Sequence, residues 1–234
     1  MLDLKMIKAI TLDLDDTLWP VWPTIERAEL ALEKWLHDRA PMTSALFANP
    51  VARADIREQV VRTRPDLKHN LSAVRREAIR LALVRSGENP ALAEEAFDVF
   101  FAERNNVTLF DDAVLALEFL SARFPIVALS NGNADIRRIG IDRYFKASIS
   151  AQVFGVGKPD ARIFYAAAGA ADVVPENVLH IGDDERLDVL GALNAGMQAV
   201  WLNRPGNEWK HDETPHVTVT TLTDLCDLLE AAEA

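Results

Sequence analysis

The chain has 234 residues, 49% of them hydrophobic, and its 25 basic and 36 acidic side chains give a net charge of −11. That apolar fraction excludes intrinsic disorder, and the negative charge repels nucleic acid and anionic lipid at long range, so neither is expected as a partner. A single cysteine, Cys226, excludes an intrachain disulfide and a cysteine-based zinc cluster.

The opening MLDLKMIKAI lacks the basic and apolar segments of a secretion signal, and the longest charge-free run, residues 189–203, is shorter than a membrane span. A cytoplasmic protein without membrane attachment is expected. Residues 7–12 form an apolar run of strand length. The chain then turns acidic, with Asp13, Asp15 and Asp16 inside ITLDLDDTLWP. From Pro23 to Asn105, apolar residues recur at helical spacing in TIERAELALEKWLHDRA, NPVARADIREQVVRTRP, LSAVRREAIRLALVRSG and PALAEEAFDVFFAERNN, which predicts four helices. Between Trp22 and Val107, 13 basic side chains balance 13 acidic ones, so the net charge lies outside this insert.

Strand and helix patterns then alternate: helix 112–123, strand PIVALSN, a helix from Asn133, strand KASISAQ, helix 161–171, strand NVLHIGD, a helix from Arg186, strands QAVWLN and HVTVT, and helix 222–232. Such alternation predicts a parallel sheet covered on both faces. The expected architecture is a doubly wound α/β core, Rossmann-like, over 1–20 and 106–234. A four-helix cap domain, 21–105, is inserted after its first strand.

Three predicted strands end in polar groups: Asp13 and Asp15, then Ser130 and Asn131, then Asp183 and Asp184. In open parallel sheets, ligands bind outside the carboxyl ends of the strands. Asp13 and Asp15 share a face of an extended chain, and with Asp183 they make a hard oxygen site suited to Mg²⁺. Phosphoryl transfer needs positioning and positive charge around spreading oxygens. Ser130 offers a hydroxyl, the turn SNGNA offers backbone N–H groups, and Lys158 in GKPD offers a fixed cation.

The set DLDDT (13–17), LSN (129–131), GKP (157–159) and GDDERLD (182–188) resembles, in order and spacing, the four signature motifs of the haloacid dehalogenase superfamily. The resemblance implies that Asp13 is a nucleophile forming an aspartyl-phosphate and Asp15 an acid/base. It implies that Asp13, the backbone carbonyl of Asp15, and Asp183 hold Mg²⁺, with Asp184 and Asp188 supporting the metal's waters and Ser130 and Lys158 gripping phosphoryl oxygens. Thr17, Asn131 and Gly132 are the adjoining substrate-binding positions. The insertion point is that of the family's helical-cap subclass, in which the cap closes over the phosphate, and the neutral insert suits an uncharged or mildly polar leaving group. True dehalogenases lack the second acid and the metal cluster. The runs LSNGNADI and LHIGDDERLDVLGALNAGMQAVWLN further resemble phosphatases acting on flavin mononucleotide and the phosphorylated aminouracil intermediate of riboflavin synthesis. The expected partner is a small phosphorylated metabolite.

Trp19 and Trp22 either stack on a flat substrate ring or form a hinge between domains. His180 reads as a satisfied core histidine, Arg75 and Arg76 as an exposed helix face in preference to substrate contacts, and His211 as a solvated loop residue. Two other functions use related residues. A sugar-phosphate mutase returns the phosphoryl group to its product, and a receiver-like phospho-switch combines an acidic pair, a hydroxyl and a lysine without an inserted cap.

Overall fold

Six short strands carry the continuous apolar runs of the sequence: β1 (Ala9–Leu12), β2 (Ile126–Ser130), β3 (Ala147–Ser150), β4 (Val178–Gly182), β5 (Gln198–Leu202) and β6 (Val217–Val219). In the computed structural model, which describes residues 2–231, they form one parallel sheet in the order β3-β2-β1-β4-β5-β6. The central strands β1, β2, β4 and β5 are buried along their whole length, whereas the edge strands β3 and β6 are partly exposed. This is the pattern required of a sheet covered on both faces. The chain runs outward from β1 to β3 and then returns to β1's other side, so the crossings diverge between β1 and β4. There Leu12 lies opposite Ile181, and the Asp13 N–H donates to the Ile181 carbonyl at 2.9 Å.

The chain divides into two compact units. One comprises the stretch up to Pro20, Thr108–Gly132 and the stretch from Ile139 onward; the other comprises Val21–Val107 and Asn133–Arg138. Within the second unit, the four expected helices form as α1 (Val21–Arg39), α3 (Pro50–Thr63), α4 (Leu71–Arg85) and α5 (Ala93–Arg104). A further short helix, α2 (Pro41–Phe47), lies between the first two. Pro41 starts it without a local side-chain cap. The carboxylate of Glu88 instead accepts from the N–H groups of Met42 at 3.1 Å and Thr43 at 2.8 Å. A cap delivered from 45 residues away leaves no local signature. Ala28, Leu32, Leu36, Ile79, Phe97 and Phe100 form this unit's core.

Arg75 and Arg76 are not a solvated face. Their guanidinium groups lie over Phe100 at 3.7 Å and Phe97 at 4.4 Å, and they pair with Glu29 and Glu94.

The remaining helices are α6 (Ala113–Ser121), α7 (Ile136–Ile139), α8 (Ala151–Phe154), α9 (Ala161–Ala170), α10 (Gly191–Asn194) and α11 (Leu222–Ala231). The expected extension to Ala232 lies outside the described residues. Phe164 and Ala167 of α9, Val127 and Leu129 of β2, and Val189 share one buried cluster. The helix expected from Asn133 shrinks to four residues because its start is held in a turn. The Asn133 side chain bonds Ser72 and Arg104, each at 3.2 Å, and the Asp135 N–H donates to Asn105 Oδ1 at 2.7 Å. These bonds place Asn133–Arg138 with the helical unit. The helix expected from Arg186 opens as a π-helical turn, Glu185–Leu190, before α10.

Candidate active site

The carboxyl ends of β1, β2 and β4 deliver Asp13, Ser130 and Asp183 to one edge of the sheet, and the segment before α9 brings Lys158 to them. Asp13, Ser130, Lys158 and Asp188 are all buried. An ionised carboxylate in such a place needs a compensating charge. Lys158 Nζ provides it, donating to Asp13 Oδ1 and, at 2.5 Å, to Asp188 Oδ1. Although burial works against it, the two carboxylates raise the lysine above its ordinary pKa.

Asp188 is the most heavily bonded of the acids. Besides Lys158 it accepts from the Asp184 N–H at 3.0 Å and contacts His180 Nε2 at 3.0 Å. Burial alone would raise its pKa, but Lys158 and His180 outweigh burial and hold it below the usual carboxylate range. Burial lowers the pKa of His180, which favours the neutral ring. Nε2–H therefore donates to Asp188, and Nδ1 accepts from the Thr11 hydroxyl at 2.8 Å. His180 is the satisfied core histidine expected, and it also braces Asp188. Gly182 permits the approach, because a Cβ there would fall on the Asp188 carboxylate.

Asp13, Asp183 and Asp188 each offer an oxygen, and these atoms all lie within 4.8 Å of one another. Burial raises the pKa of Asp13 well above the ordinary range despite Lys158, with Asp188 and Asp183 adding repulsion. Burial, followed by Asp188 and Asp16, pushes Asp183 up to about 7. The structure thus places Asp188 in the cluster itself, where a supporting position was expected. Asp188's oxygens are already committed to Lys158, His180 and the Asp184 N–H, whereas Thr17 donates to a single oxygen of Asp183, at 3.3 Å.

The Asp15 carboxylate is not in that cluster; it accepts from Trp19 Nε1 at 2.9 Å. Asp16, at a φ of 57°, turns the chain so that its N–H reaches the Trp19 carbonyl at 2.8 Å. Trp19 is 0% exposed, so it has no face on which a substrate ring could stack, which removes that alternative for it. Trp22, 70% exposed, lies on α1 in the helical unit. Asp184 caps the π-helical turn, accepting from Arg186 N–H at 2.8 Å and Leu187 N–H at 2.7 Å.

Asn131 ties the β2 end to the lysine. Its Nδ2 donates to the Lys158 carbonyl at 2.9 Å, and its Oδ1 accepts from the Lys158 N–H at 2.7 Å. A Cβ on Gly157 would fall 2.5 Å from that Oδ1, so a larger residue there would displace the Asn131 side chain. Ser130 Oγ accepts from the Gly132 N–H at 2.9 Å, which leaves its own hydrogen to donate.

Three contributors escaped the sequence reading. Trp201 Nε1 donates to the Asp183 carbonyl at 2.9 Å, and Trp201 meets Trp209 edge-on. His211, expected in solvent, meets Trp209 and pairs with Glu185 at 3.0 Å. Arg204 clamps the loop after Asp13, donating to the Thr17 carbonyl at 3.1 Å while pairing with Asp112 at 2.9 Å. The links to Asp183, Glu185, Asp112 and Thr17 join separate segments of the chain, and no local pattern announces them.

Acids and a lysine are thus gathered at the switch point of a parallel sheet, where such folds bind their ligands. The chain belongs to the haloacid dehalogenase-like hydrolase family, whose profile matches residues 7–196. It is 31% identical to the 5-amino-6-(5-phospho-D-ribitylamino)uracil phosphatase YigB of Escherichia coli, over 97% of this chain and 98% of that one. It is 32% identical to a phosphoserine phosphatase of Thermus thermophilus over 64% of this chain and 63% of that one. Among solved structures, a 2-haloacid dehalogenase from Pseudomonas syringae matches with a TM-score of 0.92 at 37% identity, covering 97% of this chain and 100% of that chain. No described helix is long and apolar enough to cross a membrane.

Proposed function

We propose that the protein is a Mg²⁺-dependent phosphatase that hydrolyses a small-metabolite phosphate monoester through an aspartyl-phosphate on Asp13. The observation that carries this reading is the Lys158 ammonium shared by Asp13 and Asp188 beside Asp183. Three ionised carboxylates and one ammonium leave two uncompensated negative charges in a buried space, and an all-oxygen donor set suits a hard dication. Asp13 and Asp183 would hold it, with the carbonyl of Asp15 that the family resemblance adds. When bound, the ion supplies positive charge that favours the ionised forms of Asp13 and Asp183 and draws charge from the phosphoryl oxygens.

The chain's own groups carry the remaining steps. The Asp13 carboxylate attacks phosphorus as the bond to the leaving oxygen breaks, and Asp15 gives that oxygen its proton. Asp15 then takes a proton from water, whose oxygen attacks phosphorus, releasing Asp13 and inorganic phosphate. Lys158 and the Ser130 hydroxyl orient the phosphoryl oxygens, while Trp19 sets the position of Asp15.

Likeness to the aminouracil phosphatase along nearly the whole chain supports a riboflavin-pathway phosphate, either flavin mononucleotide or the phosphorylated aminouracil. A panel of these esters with sugar phosphates and nucleotides, assayed with Mg²⁺ for inorganic phosphate, tests the reading. Asp13→Asn should lower release by about 10⁴-fold or more with the fold retained. Phosphoryl return to a product without free phosphate would instead indicate a mutase.

The 37% identity to the 2-haloacid dehalogenase favours one second reading, attack of Asp13 on a halogen-bearing carbon. That chemistry leaves Asp15 and Asp183 without tasks. Halide release from 2-chloropropionate, with no phosphate release across the panel, would replace the first reading.

A further inference from the structure

The helical unit contains a cavity of about 570 Å³, formed by residues of α1 to α5 together with Asn133. Its wall is apolar, with Ile25, Leu32, Phe47, Leu71, Val74 and Phe100 among the lining residues. That volume is in the range of sites that enclose small organic ligands. Its polar lining is lopsided. Arg53 and Arg57, one turn apart on α3, are exposed, and their side chains have no hydrogen-bond or ion-pair partner among the described residues. Arg75 is paired with Glu29, and of the lining groups only Glu58 remains to oppose the two free guanidinium groups. The charge neutrality of the insert as a whole thus conceals a local positive excess.

We propose that this cavity binds a small organic anion with an apolar body, its anionic group held by Arg53 and Arg57 and its body against the aliphatic and phenyl wall. Charge complementarity selects the anion, since a cation or neutral molecule of the same shape leaves both arginines uncompensated. Arginine suits the task because its planar fork can bind a carboxylate, sulfonate or phosphate with two parallel bonds. Burial lowers the Arg75 pKa, and Arg57 and Arg53 press in the same direction against the pull of Glu29. A bound anion relieves that repulsion.

Two sources share this chemistry: a substrate whose non-phosphoryl part carries a second anionic group, which rests on the phosphatase reading above but not on the two riboflavin-pathway esters, whose bodies are neutral, and a separate regulator. Binding is tested first, without turnover, on the full chain by titrating 8-anilinonaphthalene-1-sulfonate and following its fluorescence. Saturable binding is expected, and the neutral isostere N-phenyl-1-naphthylamine should bind about tenfold more weakly. The double variant Arg53→Glu/Arg57→Glu, on exposed positions, should weaken the sulfonate about tenfold and leave the neutral isostere unchanged. Ala78→Trp, which fills the cavity, should weaken both probes.

Asp13→Asn should bind both like the wild type, so failure of catalysis and failure of this site are read separately. Equal affinity for the two probes, or sulfonate binding indifferent to the charge reversal in a variant with wild-type circular dichroism, overturns the proposal. Relief of sulfonate inhibition by rising phosphomonoester assigns the cavity to the substrate's own body. Inhibition that the ester does not relieve assigns it to a regulator, and either pattern supports the site.

Discussion

The sheet edge around Asp13 and the cavity of the helical unit both concentrate charge, in opposite ways. At the sheet edge the charges are buried and bonded to one another: Lys158 serves two carboxylates, and Asp188 is gripped by Lys158, His180 and a backbone N–H. In the helical unit several charges form partly exposed pairs, such as Arg85 with Asp55 and Arg80 with Glu94, and the cavity's Arg53 and Arg57 have no such partner among the described residues. Buried networks cost much to break, whereas exposed pairs contribute little. The comparison therefore predicts where substitution damages the fold and where it alters ligand preference alone.

The largest effect should come from Lys158→Met, which removes the ammonium and leaves Asp13 and Asp188 facing each other in a buried space. A loss of about 3–5 kcal/mol is expected from urea denaturation at neutral pH, the range for breaking a buried pair on one side. The deficit should shrink on acidification, because protonating one stranded carboxylate removes the repulsion. A deficit that grows instead would show that Lys158 does not compensate these acids.

Asp183 sharpens the contrast through pH. Its folded pKa is raised, to about 7 from 3.8, so the stability linked to its proton is present below about pH 3.8 and is lost as pH rises to about 7. In metal-free buffer, Asp183→Asn should therefore gain on the wild type between pH 4 and 8. With excess Mg²⁺ at pH 8 the order should reverse, since the wild type alone retains the carboxylate that would hold the cation. Thermal melts of both proteins with and without EDTA make the comparison, and an unchanged order would remove Asp183 from the proposed metal set.

A smaller effect is expected at Trp19. Trp19→Phe keeps most of the buried bulk and removes the N–H that Asp15 accepts at 2.9 Å. With Asp15 as acid/base, kcat should fall about tenfold while KM stays near its wild-type value. A matching change in KM alone would mean that Trp19 acts on binding instead.

How much of this was legible depends on the range of each interaction. The strands announced themselves as apolar runs, and Asp13, Ser130, Lys158 and Asp183 stood at strand ends or in short motifs, where one chain segment contains the whole signal. The bracing of Asp188 by His180 did not, because a histidine inside VLHIG reads as core until the sheet places it under the acid. For Trp19, stacking on a ring and packing at a hinge both stayed open, because exposure is a tertiary property. The neutrality of residues 22–107 was a sum, and a sum cannot show that Arg53 and Arg57 lack partners while Arg75, Arg76, Arg80 and Arg85 have theirs.

The smallest effect tests the helical unit's own surface. Glu88 holds α2 by accepting from two backbone N–H groups and from the Thr43 hydroxyl, the last at 2.5 Å. Desolvation is the largest single influence and works against this, but the three donors together outweigh it and lower its pKa from the ordinary value of 4.5. Its contribution should therefore be complete above about pH 4.5 and lost as pH falls through the depressed value. Glu88→Ala should cost about 1 kcal/mol at pH 7, the usual worth of an N-cap, and nearly nothing in acid. A loss of several kcal/mol would mean that α2 supports the helical core more heavily than its exposed cap implies, and the contrast between the two regions would narrow accordingly.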